Sequence, residues 1–178
     1  MRNQGLIVHY AIKLFLKENY KFQFVKVKSE IYRRVAVMIR ELQKADINKV
    51  ADIWLDTNIK AHYFIPAQYW KSNFELVKEL LLQAEVYVYE DNQEIHGFIG
   101  LNDKYIEGIF VSVEKQSQGI GKTLLNYAKD KRSKLLLNVY TKNTQAISFY
   151  QREGFKILYS GLDKATGEKD HVMSWDKQ

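Results

Sequence analysis

The chain has 178 residues, 46% of them hydrophobic and 13% aromatic, enough to bury one substantial core and too few for a multidomain machine. It contains no cysteine, which excludes disulfides, a thiolate nucleophile and Cys-ligated zinc or iron–sulfur centres, and leaves the redox compartment unmarked. The formal charge of +6 would suggest a nucleic-acid or membrane partner, but all of it lies in residues 1–37, where eight basic residues (Arg2, Lys13, Lys17, Lys21, Lys26, Lys28, Arg33, Arg34) face only Glu18 and Glu30, so residues 38–178 balance to neutrality.

Residues 1–37 therefore read as a basic extension, with a short strand around Phe22, Phe24, Val25 and Val27 and a helical turn or two from Ile12 to Leu16. The second methionine, Met38, opens the regular pattern, and the leader is either an appended arm or an upstream start. Apolar stretches such as Ala11–Leu16, broken by Lys13, are far shorter than the roughly 20 residues of a membrane span. His9 and Lys13 likewise spoil a signal peptide. The expectation is a soluble, cytoplasmic protein without a membrane partner, and without a nucleic-acid partner unless the leader binds one.

Val35–Leu42 reads as a first strand. Asp46 is expected to cap a helix whose apolar residues Ile47, Val50, Ile53 and Trp54 recur at helical spacing. Pro66, the only proline, is placed near the first turn of a second helix running through Tyr69, Trp70, Phe74, Val77, Leu80 and Leu81. Val86–Tyr89 and Ile95–Leu101, separated by the turn residues Asp91, Asn92 and Gln93, predict a hairpin. Tyr105–Val113 follows as a strand, Gln118–Lys131 as an amphipathic helix, Leu135–Tyr140 as a buried strand and Asn143–Glu153 as a helix stopped at Gly154. Phe155–Tyr159 and His171–Trp175 complete the set, joined across a turn at Asp163–Gly167. The order, roughly βααβββαβαββ, predicts a mixed α/β sheet rather than a regular alternation of strand and helix.

One strand-to-helix junction carries chemistry. In Gln116-Ser117-Gln118-Gly119-Ile120-Gly121-Lys122 two glycines flank one residue at a helix start, where missing Cβ atoms let backbone approach a phosphate and the free N–H groups attract an anion. Alone, the pattern is as often a tight turn, and a lone Lys122 is more often a solvated helix residue than a phosphate ligand. It gains specificity from Asn143-Thr144-Gln145-Ala146-Ile147-Ser148-Phe149-Tyr150-Gln151-Arg152-Glu153-Gly154-Phe155, one strand and one helix downstream. The pair Gln-x-x-Gly-x-Gly and Asn-x-x-Ala-x-x-Phe-Tyr-x-x-x-Gly-Phe resembles the acetyl-CoA-binding core of the GNAT N-acetyltransferase superfamily, and Gly108–Val113 resembles that family's fourth strand. The resemblance covers residues 38–178 as one acetyltransferase domain and leaves residues 1–37 outside. Ile53-Trp54-Leu55, His62-Tyr63-Phe64-Ile65, Tyr69-Trp70 and Met173-Ser174-Trp175 look like a subgroup of small bacterial members linked to protein-lysine acetylation.

The resemblance implies a GNAT fold, acetyl-CoA as co-substrate and no metal; the four histidines, without a close pair, offer no metal-binding pattern of their own. It places pantetheine against the main chain of Phe110, Val111 and Val113 and the pyrophosphate in the cradle of Gln116, Gln118, Gly119, Gly121 and Lys122. Glu114 stands where the family often has proline. Asn143 matches the asparagine that bonds the pantetheine or phosphate arm, although capping its helix is an equally physical role. Tyr150 matches the tyrosine near the thioester sulfur, able to donate to the departing thiolate, with a packed helix tyrosine as the plain alternative.

Removing the proton from an amine of pKa ~10.4 near neutrality costs about 4.6 kcal/mol, so a base or a dehydrating pocket is needed. Glu107 is the candidate base, its alternative being an exposed strand glutamate. His62, Tyr63, Phe64 and Tyr105 are expected to shape the acceptor pocket. A non-catalytic acyl-CoA-binding or sensing domain is the other reading. The acceptor amine, protein lysine or a small amine, and a homodimer through edge strands are left undecided.

Overall fold

A computed structural model of the chain describes residues 38–177, and the strand and helical turn expected in the leader lie outside them. In chain order the elements are β1 (Met38–Glu41), α1 (Ile47–Ala61), α2 (Ala67–Ser72), α3 (Phe74–Leu81), β2 (Glu85–Asp91), β3 (Glu94–Asn102), β4 (Tyr105–Val111), α4 (Ile120–Lys131), β5 (Lys134–Tyr140), α5 (Thr144–Arg152), β6 (Lys156–Leu162) and β7 (Lys169–Asp176). The strands form one sheet in the order β1-β2-β3-β4-β5-β7-β6. Neighbours are antiparallel except β4 and β5, which run parallel because α4 carries the chain back across the sheet.

The β2–β3 hairpin closes through Asn92 and Gln93, both at positive φ (51° and 65°), the arrangement whose twist matches its strands. On one face of the sheet, Leu124, Leu125 and Ala128 of α4 meet Ile99, Leu101, Ile106, Leu135, Leu137 and Met173, all fully or almost fully buried. On the other face, Ile47, Val50, Ala51 and Ile53 of α1 and Leu81 of α3 cover Val86, Val88 and Phe98. At roughly 1.5–3 kcal/mol per buried large apolar side chain, these two cores hold the sheet between helices. Among the described residues no helix is long and apolar enough to cross a membrane.

The mixed α/β sheet and the succession of strands and helices along the chain agree with the sequence pattern; three local expectations need correction. The second helix is two, α2 and α3, because Asn73 (φ −92°, ψ −1°) turns its amide to the Tyr69 carbonyl at 2.7 Å and interrupts the ladder. Asp46 stands at the start of α1, but its carboxylate takes the Arg40 guanidinium at 2.6 Å and the Gln43 N–H at 2.8 Å instead of capping the helix. The strand expected to reach Val113 ends at Val111, and Val113–Lys115 is a 3-10 turn closed by the Lys115 N–H on the Ser112 carbonyl at 2.9 Å.

Candidate active site

The site begins as a defect in strand pairing. β3 and β4 pair Asn102 with Tyr105 and Leu101 with Ile106, then resume with Gly100 opposite Gly108, so Glu107 is the extra residue of a β-bulge. At the same point β4 leaves β5: the two pair only at Tyr105–Leu136 and Ile106–Leu137. Beyond that point a cleft of about 560 Å³ opens. Its walls are Ile109, Phe110 and Val111 of β4, the loop and first turn of α4, the inner face of α5, and the end of α1.

At the loop, Gly119 adopts the left-handed conformation (φ 86°) directly before α4, and a Cβ there would meet nothing within 4 Å. The N–H groups of Ile120, Gly121 and Lys122 begin the helix and lack intrahelical acceptors. Gln116 donates its side-chain amide to the Val111 carbonyl at 3.1 Å, tying the loop to the strand end. These features suit an anionic group with close backbone approach, and Gln116, Gly119, Gly121 and Lys122 all line the cleft. Lys122 is exposed and pairs with Glu153 at 3.5 Å. Gln118 does not line the cleft; its amide turns back to the Glu114 carbonyl at 3.2 Å. Val113, in the 3-10 turn, also lies off the cleft wall, where Ile109 stands with Phe110 and Val111.

Tyr150 is buried against Phe149 and Phe155, with ring centroids 5.1 and 5.5 Å away, yet it reaches the cleft. Its hydroxyl has no hydrogen-bond partner among the described residues, and burial raises its pKa well above the ordinary tyrosine value, so the phenol keeps its proton. Asn143 caps α5 by accepting the Ala146 N–H at 3.1 Å, and its amide reaches His62 Nε2 at 3.2 Å. His62 Nδ1 meets Asn58 Oδ1 at 3.0 Å. Burial depresses His62 to a pKa of about 4, so the ring is neutral.

The remaining predicted residues gather on the face of β4 and β5 away from α4. Leu135, Leu137 and Val139 point into the α4 core, so Asn138 and Tyr140 project to the opposite side. There Tyr140 packs edge-on against His62 (5.0 Å) and Phe64 (5.7 Å) and donates its hydroxyl to Asp163. Tyr105 donates to Asn138, which in turn donates to the buried Asp170 at 2.5 Å. Burial, with the nearby Glu107 and Asp170 carboxylates, lifts Tyr105 to about 12. Glu107 is exposed on its bulge, and among the described residues its carboxylate is held by one long bond from Asn102 at 3.4 Å. Tyr63 is largely exposed and faces Phe64. Sequence reasoning missed Asn58, Tyr140 and Asn138. Asn58 sits three residues before the helix end as an apolar-stripe position filled by a polar residue, which was the available signal.

A family model described as an acetyltransferase (GNAT) domain matches residues 83–157. The chain is 34% identical over 140 residues to the peptidyl-lysine N-acetyltransferase YiaC of Escherichia coli strain K12, covering 78% of this chain and 96% of that protein. It is 32% identical over 122 residues to the peptidyl-lysine N-acetyltransferase YjaB of Salmonella typhimurium, covering 68% and 84%. Among solved structures, apo YjaB from Escherichia coli superposes with a TM-score of 0.72 at 22% identity, over 81% of this chain and 100% of that one. The structure of yncA from Salmonella typhimurium with its cofactor acetyl-CoA gives 0.58 at 18% identity, over 80% and 95%.

Proposed function

The chain belongs to the GNAT acetyltransferase family, and on that premise we propose that it acetylates the side-chain amine of lysine residues in proteins. As a member it is an acetyl-CoA-dependent N-acetyltransferase acting on an amine. The lysine reading is supported by its curated relatives, which carry peptidyl-lysine N-acetyltransferase names; nothing among them favours a non-catalytic binding domain.

One observation supports the assignment of residues: β4 parts from β5 beyond Ile106–Leu137, the glycine loop and Tyr150 line the cleft that opens there, and Glu107 stands where the parting begins, although neither it nor Tyr105 lines the cleft. Acetyl-CoA supplies a thioester whose carbonyl carbon the amine attacks directly, the C–N bond forming as the C–S bond breaks. The loop Gln116–Lys122 and the α4 N-terminus hold the pyrophosphate, and the main chain of Ile109–Val111 lies along the pantetheine. Glu107 takes the proton from the incoming amine, directly or through water. Tyr150 donates a hydrogen bond to the leaving thiolate. Full transfer from an ordinary tyrosine to a thiolate is already uphill by about 2 kcal/mol, and burial makes it more so, which favours hydrogen bonding. His62, Phe64, Tyr105 and Tyr140 flank the approach of the lysine chain.

The test is thiol release from acetyl-CoA in the presence of a lysine-containing peptide, the same peptide with lysine replaced by arginine, and a polyamine, with product masses read in parallel. Release and a single acetyl mass on the lysine peptide alone are expected. Turnover with the polyamine only would overturn the lysine reading and leave the acetyltransferase standing.

A further inference from the structure

We propose that His62, held as its Nδ1–H tautomer, is a positioning residue that fixes the Asn143 side-chain amide at the wall of the acetyl-CoA cleft.

Hydrogen-bond accounting carries the argument. Asn58 Nδ2 donates to the Trp54 carbonyl at 2.8 Å, within the same helix, so Asn58 Oδ1 is the atom turned toward His62. That oxygen can only accept, which puts the proton on His62 Nδ1 (3.0 Å) and leaves Nε2 bare. The bare nitrogen then accepts from Asn143 Nδ2 at 3.2 Å, while Asn143 Oδ1 accepts the Ala146 N–H at 3.1 Å. Each bond dictates the direction of the next, so an orientation set by the α1 backbone is passed to the first turn of α5. One Asn143 N–H remains, and Asn58, His62 and Asn143 all line the cleft, so that N–H is the group left for a carbonyl or phosphate oxygen of the cofactor.

The chain explains why position 143 holds an amide. Aspartate would cap α5 as well but has no proton to donate to a bare Nε2, and a serine hydroxyl that did both would have no second donor left for the cofactor, as the asparagine NH2 has. The ring has little freedom to turn, being stacked on Trp70 at 5.4 Å and edge-on to Tyr140 and Phe64 at 5.0 and 5.8 Å. Ionisable groups around it are few. Tyr140 donates its hydroxyl hydrogen bond to Asp163, and Lys142, over the Phe64 ring, pairs with Glu168 at 2.9 Å; Lys60 shares the cleft rim.

The inference rests on the proposed cofactor role of Asn143, and the experiment separates the two. Ring 15N spectra of the intact protein should show His62 protonated at Nδ1 and bare at Nε2; a protonated Nε2 overturns the relay whatever Asn143 does. Asn143→Asp keeps the cap but sets a carboxylate against Nε2, which favours the charged ring, so the His62 titration should move upward from about 4; an unmoved titration also overturns the relay. His62→Phe keeps the ring stacks and removes the acceptor. It should weaken acetyl-CoA binding about tenfold with a smaller change in kcat at saturation, and His62→Gln, whose carbonyl can accept from Asn143, should recover part of the loss. A correct tautomer in the wild type with unchanged acetyl-CoA affinity in His62→Phe would overturn the positioning role of His62, whereas unchanged affinity in Asn143→Ala would instead sink the cofactor role of Asn143. Should His62→Phe fail to fold, the wild-type spectrum and the Gln variant decide alone.

Discussion

Ile106 and Leu137 form the last pair through which β4 and β5 face each other, and the residue that follows Ile106, Glu107, is the one that β3 cannot pair. The bulge bends β4 and the lost pairing opens the sheet in a single step, so the candidate base and the cofactor cleft share one origin in the backbone.

Glu107→Gln tests the chemical half of that coincidence. The side chain is exposed and loosely held, so stability should change by no more than about 0.5 kcal/mol by urea unfolding. Turnover of the amine should fall about 10²-fold, with acetyl-CoA affinity by calorimetry unchanged. Full activity in the Gln variant would return Glu107 to the role of a bulge residue.

Tyr150→Phe removes a hydroxyl that reaches the cleft and has no hydrogen-bond partner among the described residues, so the fold loses no hydrogen bond. The thermal midpoint should hold or rise slightly. kcat should drop about 10- to 100-fold with little change in acetyl-CoA affinity, the signature of a group acting on the leaving thiolate. Unchanged kcat would take Tyr150 out of the mechanism.

The loop glycines separate strain from access. Gly119 is at φ 86° with open space around a Cβ, so Gly119→Ala should cost about 1–2 kcal/mol through conformation alone and weaken acetyl-CoA binding. Gly121 carries no such backbone constraint, and its Cβ would sit at an ordinary 3.7 Å from Phe149. Gly121→Ala should therefore leave stability intact or improve it, by about 1 kcal/mol at most, while any loss of acetyl-CoA affinity reports close backbone approach. Equal stability losses in both variants, measured by thermal denaturation, would contradict this division.

Most of the fold was legible because its signals are local. Apolar spacing from Ile47 to Trp54, the Asn92-Gln93 turn and the Gly119–Gly121 loop each declare themselves within one element. The departures arise where side chains take partners outside their own element or compete with the backbone. Arg40 draws Asp46 from its cap, and Asn73 turns on the Tyr69 carbonyl to split a helix. Within the site, the family resemblance singles out the loop and Tyr150, whereas the link between His62 and Asn143 joins residues 81 positions apart and only the folded sheet brings them together. Tyr140 went unnoticed because in the sequence it is one aromatic residue ending an apolar strand; its partners His62, Phe64 and Asp163 come from other elements.

Acid stability follows from His62. Its folded pKa, about 4 through burial, lies below the ordinary value of 6.5, so the unfolded chain takes up a proton first as pH falls. The stability tied to the neutral ring is therefore complete above about pH 6.5 and is lost progressively as pH drops toward 4. Linkage across that window gives a loss of about 2 kcal/mol between about pH 7 and about pH 5 from this one group. In His62→Phe the contribution vanishes, so the urea-unfolding free energies of variant and wild type should converge by that amount over the same interval. Parallel curves would mean that His62 titrates alike in the folded and unfolded chain. The neutral ring, and with it the bare Nε2 that accepts from Asn143, would then have lost its thermodynamic support.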